Sequence, residues 1–148
     1  MLRSRASTRR SIVGSRRSRL EFPVSVKGVI LDRGSVILLQ NEREEWELPG
    51  GKLEAGETPQ ECVAREVLEE LNLEVRVGPL LDAWIYEPIP GRSVVVLAYG
   101  CVARTMDAMK HSEEHLAVRS FGLDGLENIP LPTGYARAVR TWAEGMTP

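Results

Sequence analysis

The segment GGKLEAGETPQECVAREVLEELNLEV, Gly50 to Val75, constrains this chain more than any other. It holds seven carboxylates, and Glu66, Glu69 and Glu70 crowd into five residues. Thr58 followed by Pro59, with Glu61 three residues after Thr58, is a helix start: a capping box with proline at the first helical position. The spacing predicts a helix running to Leu71 and closed by Asn72, a residue that tolerates the left-handed conformation. At about 100° per residue, Val63, Ala64, Val67, Leu68 and Leu71 gather on one side as a core face. Glu66, Glu69 and Glu70 gather on the other side, related by i, i+3 and i+4, so that their side chains are neighbours. Arg65 stands at the edge of that face, one turn before Glu69. Like charges so placed repel, and exposed helix faces usually interleave acids with Lys or Arg. Two readings stay open: a solvated acidic face, or a site completed by a divalent cation. Mg²⁺ takes carboxylate and carbonyl oxygens and keeps substrate phosphates in its shell. It would relieve the repulsion and let a phosphate anion approach.

The flanks of this helix are strand-like. FPVSVKGVILD and SVILLQ, joined at Arg33-Gly34, read as a hairpin. WELP is a short extended piece stopped by Pro49, and Gly50-Gly51 permits an unusual backbone turn. EVRVG, LLDAWIYE and SVVVLAYGCVA are three further strand candidates, and LAVRSFGL is another. A last helix is predicted from Thr133 through Trp142, with Tyr135, Ala138, Val139 and Trp142 as a core-facing stripe. Strands on both sides of a central helix, plus a C-terminal helix, predict an α/β (α+β) domain: a mixed central sheet covered on both faces, an α/β/α sandwich.

The string Gly51, five residues, Glu57, seven residues, Arg65-Glu66-Val67, one residue, Glu69-Glu70, then Leu73 resembles the Nudix box of the Nudix hydrolases. One position departs: Asn72 stands where the family has glycine, and asparagine is among the few residues that accept positive φ. WELPGG resembles the family's usual lead-in. The resemblance implies a Nudix-like fold and a hydrolase that uses Mg²⁺ or Mn²⁺ to cleave a nucleoside diphosphate linked to another moiety. It implies that Glu66, Glu69 and Glu70 are metal carboxylates, that the Gly50 carbonyl is a further ligand, and that Glu57 and Arg65 pair to orient the acids. Glu66 and Glu70 are both candidates for general base. The family often carries a Ser-x-Glu-His element before a late strand. Ser112, Glu114 and His115 match it, which makes Glu114 a candidate base or extra metal ligand, against a solvated loop acid. His115 itself is read as structural. Cys62, one turn before Glu66, is read as an ordinary helix cysteine.

Substrate markers are sparser. Pro88 lies fifteen residues after Leu73, as in ADP-ribose pyrophosphatases, and this puts ADP-ribose-like or nucleotide-sugar substrates slightly ahead of nucleoside triphosphates. Tyr86 fits the dinucleoside polyphosphate spacing less well. Trp84 and Tyr86 are candidates to stack on a base, with a core position as the competing reading. An RNA 5′-end pyrophosphohydrolase and a nucleotide-sensing module that binds without hydrolysis are the alternatives. The intact acid set speaks against the second.

Charge is distributed unevenly. Residues 1 to 19 carry seven arginines and no acid, although the whole chain has a net charge of −2. Residues 1–20 are therefore expected to be an Arg/Ser-rich disordered leader, with a transit peptide and a phosphate-contacting arm as the functional readings. Residues 21–148 are expected to form one domain, long enough to bury a core without disulfides. Cys62 and Cys101 fit no metal spacing, and a reducing, cytoplasmic setting is the default. No apolar run is long enough to span a bilayer. A small-molecule nucleotide is the expected partner, a homodimer is left open, and no membrane association is expected.

Overall fold

A computed structural model describes residues 19–110, 113 and 115–145. The Arg-rich leader up to residue 18, and Ser112 and Glu114 with it, lie outside the described residues. In chain order the elements are β1 (Val24–Asp32), β2 (Ser35–Gln40), β3 (Trp46–Glu47), β4 (Gly50–Lys52), α1 (Pro59–Leu71), β5 (Val75–Ile89), β6 (Arg92–Ala103), β7 (Ala117–Gly122), a 3-10 turn (Leu123–Asn128) and α2 (Thr133–Gly145).

The sheet is mixed, in the order β3-β2-β1-β6-β5, with β4 added to β1 and β7 to β2. Among the described residues only β1 and β6 run parallel, from Val24 opposite Val95 to Ile30 opposite Cys101. The expected hairpin forms. Arg33 (φ 51°) and Gly34 (φ 76°) make a two-residue turn with both φ positive, and Asp32 faces Ser35 across it. Such turns match the right-handed twist of the strands they join.

Strand β1 changes partner along one edge. Ser25–Lys27 pair with Lys52–Gly50 of β4, whereas Leu31 and Asp32 pair with β2. Between these, Gly28 N–H donates to the Pro49 carbonyl at 2.9 Å. The edge of β1 thus changes partner on either side of Gly28, which packs closely against Val63 and Cys101.

Side chains alternate across the sheet, so β1 feeds two cores. Val26 and Ile30 join Val63, Val67, Leu71 and Leu73 under α1. Val29 joins Val96, Ala98, Tyr135, Ala138 and Val139 under α2. The α/β/α sandwich stands, and the stripe predicted for α2 faces its core, with Trp142 packed at its edge.

Two expectations are corrected. EVRVG and LLDAWIYE are one strand, β5, whose register shifts between Val77 and Leu80 and again between Leu80 and Asp82. Irregular pairing lets the strand continue where Gly78-Pro79 signals a break. Leu68, placed on the core face by angular projection, is 48% exposed. The sheet is covered by Val63, Val67 and Leu71, and Leu68 lies at the rim of that stripe.

Candidate active site

Helix α1 forms as its sequence requires. Thr58 Oγ1 accepts from Glu61 N–H at 3.1 Å and lies 3.1 Å from Glu61 Oε1, with Pro59 at the first position. At the far end Asn72 adopts φ 54°, and its N–H donates to the Leu68 carbonyl. Its side-chain Nδ2 donates to the Ala108 carbonyl at 3.0 Å, a tether that glycine could not provide. The departure from the family glycine leaves the helix end intact.

The three acids lie at three depths. Glu70 is buried, 4% exposed, and its Oε1 accepts from Gly50 N–H at 2.7 Å. Glu66 is half-buried against Gly51, where a Cβ would come within 2.5 Å of its carboxylate. Glu69 points outward. The glycine pair is required for this approach. Gly50 has φ 140°, and a Cβ there would meet the Val26 carbonyl oxygen at 2.0 Å.

Arg65 gathers the acids from outside. Its Nε and Nη2 donate to both Glu57 oxygens at 3.0 and 2.9 Å. Its Nη1 reaches Glu66 at 3.0 Å and Glu69 at 3.3 Å. These bonds, with that from Glu54 N–H, hold the Glu57 carboxyl at about 2. The fork binds both oxygens of one acid while touching two others, a geometry available to arginine and not to lysine.

Three further residues complete the buried side of the site, and the sequence reading did not place them there. His115 Nε2 lies 3.2 Å from Glu47 Oε1 and 3.2 Å from Glu70 Oε2, so one imidazole bridges β3 and α1. Lys27, from β1, is buried, with Nζ 3.5 Å from the Gly50 carbonyl oxygen. Burial pushes the Glu70 carboxyl from its ordinary 4.5 to about 7, although Lys27 and the Gly50 N–H pull the other way. Burial also opposes ionisation of Glu47, but the hydrogen bond with His115 and the charge of Lys27 outweigh it and hold that carboxyl at about 2. The Glu47 contact raises the pKa of His115 against the effect of burial. For Lys27 burial works against the charge, but Tyr135, Glu47, Glu70 and Glu66 together raise its pKa. A lysine in the apolar run VSVKGVI was the signal for this group. The structural reading of His115 needs widening, because its ring touches an acid of the site.

The other candidates separate. Cys62 is buried, with Sγ directed at the Gly51 and Lys52 carbonyls. Burial pushes its thiol up to about 12, so it remains a protonated core cysteine. Tyr86 lines a groove of about 330 Å³ beside the acids, together with Lys27, Glu47, Gly51 and Pro88. Trp84 faces a different groove, where Gly134 lies under its ring and Arg137 stacks on it at 5.8 Å. Arg43, Lys52 and Arg92 add positive charge to the Tyr86 groove.

Among the described residues, no three His, Cys, Asp or Glu side chains already surround one point as a metal cage. The donors nonetheless suit a hard divalent cation: the carboxylates of Glu66 and Glu70 and the Gly50 carbonyl are all oxygen. Gly51 keeps the space beside Glu66 free of a side chain.

A mixed sheet between two helices, with a carboxylate-bearing helix packed on a Gly-Gly strand, defines the class. The Nudix domain model matches residues 21–142, and the chain belongs to the Nudix family. An 8-oxo-dGTP diphosphatase of Proteus vulgaris is 36% identical over 75 residues, 47% of this chain and 66% of that one. An ADP-ribose pyrophosphatase of Methanocaldococcus jannaschii is 35% identical over 65 residues, 41% of this chain and 38% of that one. The chain therefore matches less than two thirds of the length of either relative. The crystal structure of a MutT protein from Methanosarcina mazei Go1 superposes with a TM-score of 0.71 at 27% identity, covering 87% of this chain and 100% of that one.

Proposed function

We propose that the protein is a pyrophosphohydrolase that uses Mg²⁺ or Mn²⁺ to cleave the diphosphate linkage of a nucleoside diphosphate derivative. The observation that carries this reading is the groove in which Tyr86, Lys27, Glu47 and Gly51 meet beside Glu66 and Glu70. It carries an aromatic face and four basic side chains, and its wall at Gly51 lies against the Glu66 carboxylate. Glu66, Glu69, Glu70 and the Gly50 carbonyl would hold the metal, with Glu114 a further candidate ligand or base. When bound, the metal polarises the phosphate and acidifies an attacking water.

The chain's own groups supply the rest. Arg65, braced by Glu57, bonds Glu66 and Glu69 directly. Glu66 and Glu70 are the box carboxylates placed to take the proton of an attacking water, with Glu70 held by the Gly50 N–H. Tyr86 offers a stacking face. The finer choice is an ADP-ribose-like or nucleotide-sugar substrate: Pro88 lies in the groove wall, and one relative carries the name ADP-ribose pyrophosphatase. The second reading, a nucleoside triphosphate, is favoured by the relative named 8-oxo-dGTP diphosphatase.

A panel with Mg²⁺ tests both: ADP-ribose, nucleotide sugars, dinucleoside polyphosphates, canonical and oxidised triphosphates, and 5′-triphosphate RNA, each beside Glu70→Gln. Cleavage by the wild type and not by the variant is expected. Nucleotide binding without turnover of any member would replace hydrolysis with sensing.

A further inference from the structure

Lys27 lies in the half of β1 that pairs with β4, opposite Gly50 and Ala98, with its side chain on the α2 side of the sheet. It is 6% exposed. A buried lysine normally has its donors filled, because an ammonium in a low-dielectric site is costly unless paired and hydrogen-bonded. Among the described residues, the one hydrogen bond from Nζ goes to the Gly50 carbonyl, at 3.5 Å, the long limit for such a bond. An ammonium has three donors, so two remain to be satisfied.

The acids around it do not fill them. Glu47 is engaged by His115 and Asn41, and Glu70 by Gly50 N–H and His115. Among the described residues no hydrogen bond runs from Nζ to either carboxylate. The same side chain forms part of the groove shared with Tyr86, Arg43, Lys52 and Arg92. A buried cation with open donors, on the floor of a groove rimmed by cations, suits an anionic oxygen that arrives from the groove.

We propose that Lys27 is a substrate-binding, specificity-determining residue that donates to a non-bridging oxygen of the nucleotide's diphosphate. It would recognise the charged part of the substrate independently of the base. The inference takes the identity of the anion from the hydrolase reading above. It differs from that reading in assigning the recognition to a protein cation in β1.

Calorimetric titration of the full chain with ADP and GDP in Mg²⁺, and with adenosine and guanosine as phosphate-free controls, tests it. A hydrogen bond to a charged group sets the expected loss, so Lys27→Met should weaken diphosphate binding about 10- to 100-fold. Nucleoside binding should stay unchanged, and Lys27→Arg should keep most of the affinity. If removal of the buried base leaves Lys27→Met unfolded, the double variant Lys27→Met/Glu47→Gln, which removes a buried acid with it, carries the same comparison. Unchanged ADP and GDP affinity, or an equal loss for nucleosides and diphosphates, overturns the proposal. Hydrolysis is followed in parallel. A wild type that binds diphosphates through Lys27 but cleaves nothing refutes the hydrolase reading and leaves this one standing. A wild type that cleaves, with binding unaffected by Lys27→Met, does the reverse.

Discussion

Replacing Glu70 with glutamine should stabilise the metal-free protein at mildly alkaline pH while abolishing turnover. The carboxyl moves from an ordinary 4.5 to about 7 in the folded chain because burial disfavours its charge. Below 4.5 it is protonated in both the folded and unfolded states and costs nothing. As the pH rises from 4.5 to about 7 the unfolded chain ionises first, and the equilibrium shifts towards unfolding. Above 7 the full penalty applies, about 3 kcal/mol for a shift of this size. That is a large fraction of the net stability of a small domain. Glutamine does not titrate, so the penalty vanishes. The contact with His115 titrates in the same window: it pulls the Glu70 carboxyl down while Glu70 raises the pKa of His115, and the attraction is lost as His115 deprotonates, so in the wild type both effects weaken the fold as the pH rises. Urea denaturation in EDTA, from about pH 4.5 to about pH 8, measures the difference between variant and wild type. It should widen in favour of the variant by up to about 3 kcal/mol as the pH rises. Addition of Mg²⁺ should then restore stability to the wild type by mass action and help the variant less. A difference that stays flat across the range would refute the reasoning, because it would mean that Glu70 is not ionised against its surroundings. Stability given up at a site that needs a buried acid is the expected exchange with function.

Arg65→Lys should lower activity about 10- to 100-fold, because a lysine cannot hold Glu57 by two bonds and still reach Glu66; kcat with Mg²⁺ varied checks it, and an unchanged metal dependence would count against the orienting role. Gly51→Ala should weaken metal binding, since the new Cβ would stand 2.5 Å from the Glu66 carboxylate; calorimetry with Mn²⁺ measures the loss. Asn72→Gly should leave kcat unchanged while removing the Nδ2 bond to Ala108, a cost of about 0.5–1.5 kcal/mol readable in thermal denaturation. An increase in stability would show that the tether contributes less than relief of strain at φ 54°.

The helix that carries the acids was legible in the sequence because its determinants are local. Thr58, Pro59 and Glu61 set its start, Asn72 sets its end, and the apolar spacing of Val63, Val67 and Leu71 sets its buried side. The pairing of Arg65 with Glu57 and the need for two glycines followed from a motif whose positions all lie within one stretch of chain. Leu68 was misplaced because angular projection cannot say how wide a stripe the sheet will cover. One strand was divided in two because Gly78-Pro79 reads as a break, whereas pairing with β6 carries β5 through it. The depths of Glu66, Glu69 and Glu70, which separate one buried acid from an outward one, depend on β4 lying against α1. Lys27, Glu47 and His115 come from strands and a loop up to 88 positions apart in number, and no local pattern links them. They meet because sheet pairing sets β4 beside β1 while His115, just before β7, reaches both β3 and α1. Sequence fixes what short-range sterics and periodicity dictate. The charge environment of the site is a long-range quantity, set by which side chains the sheet brings into one low-dielectric space, and only the tertiary structure decided it.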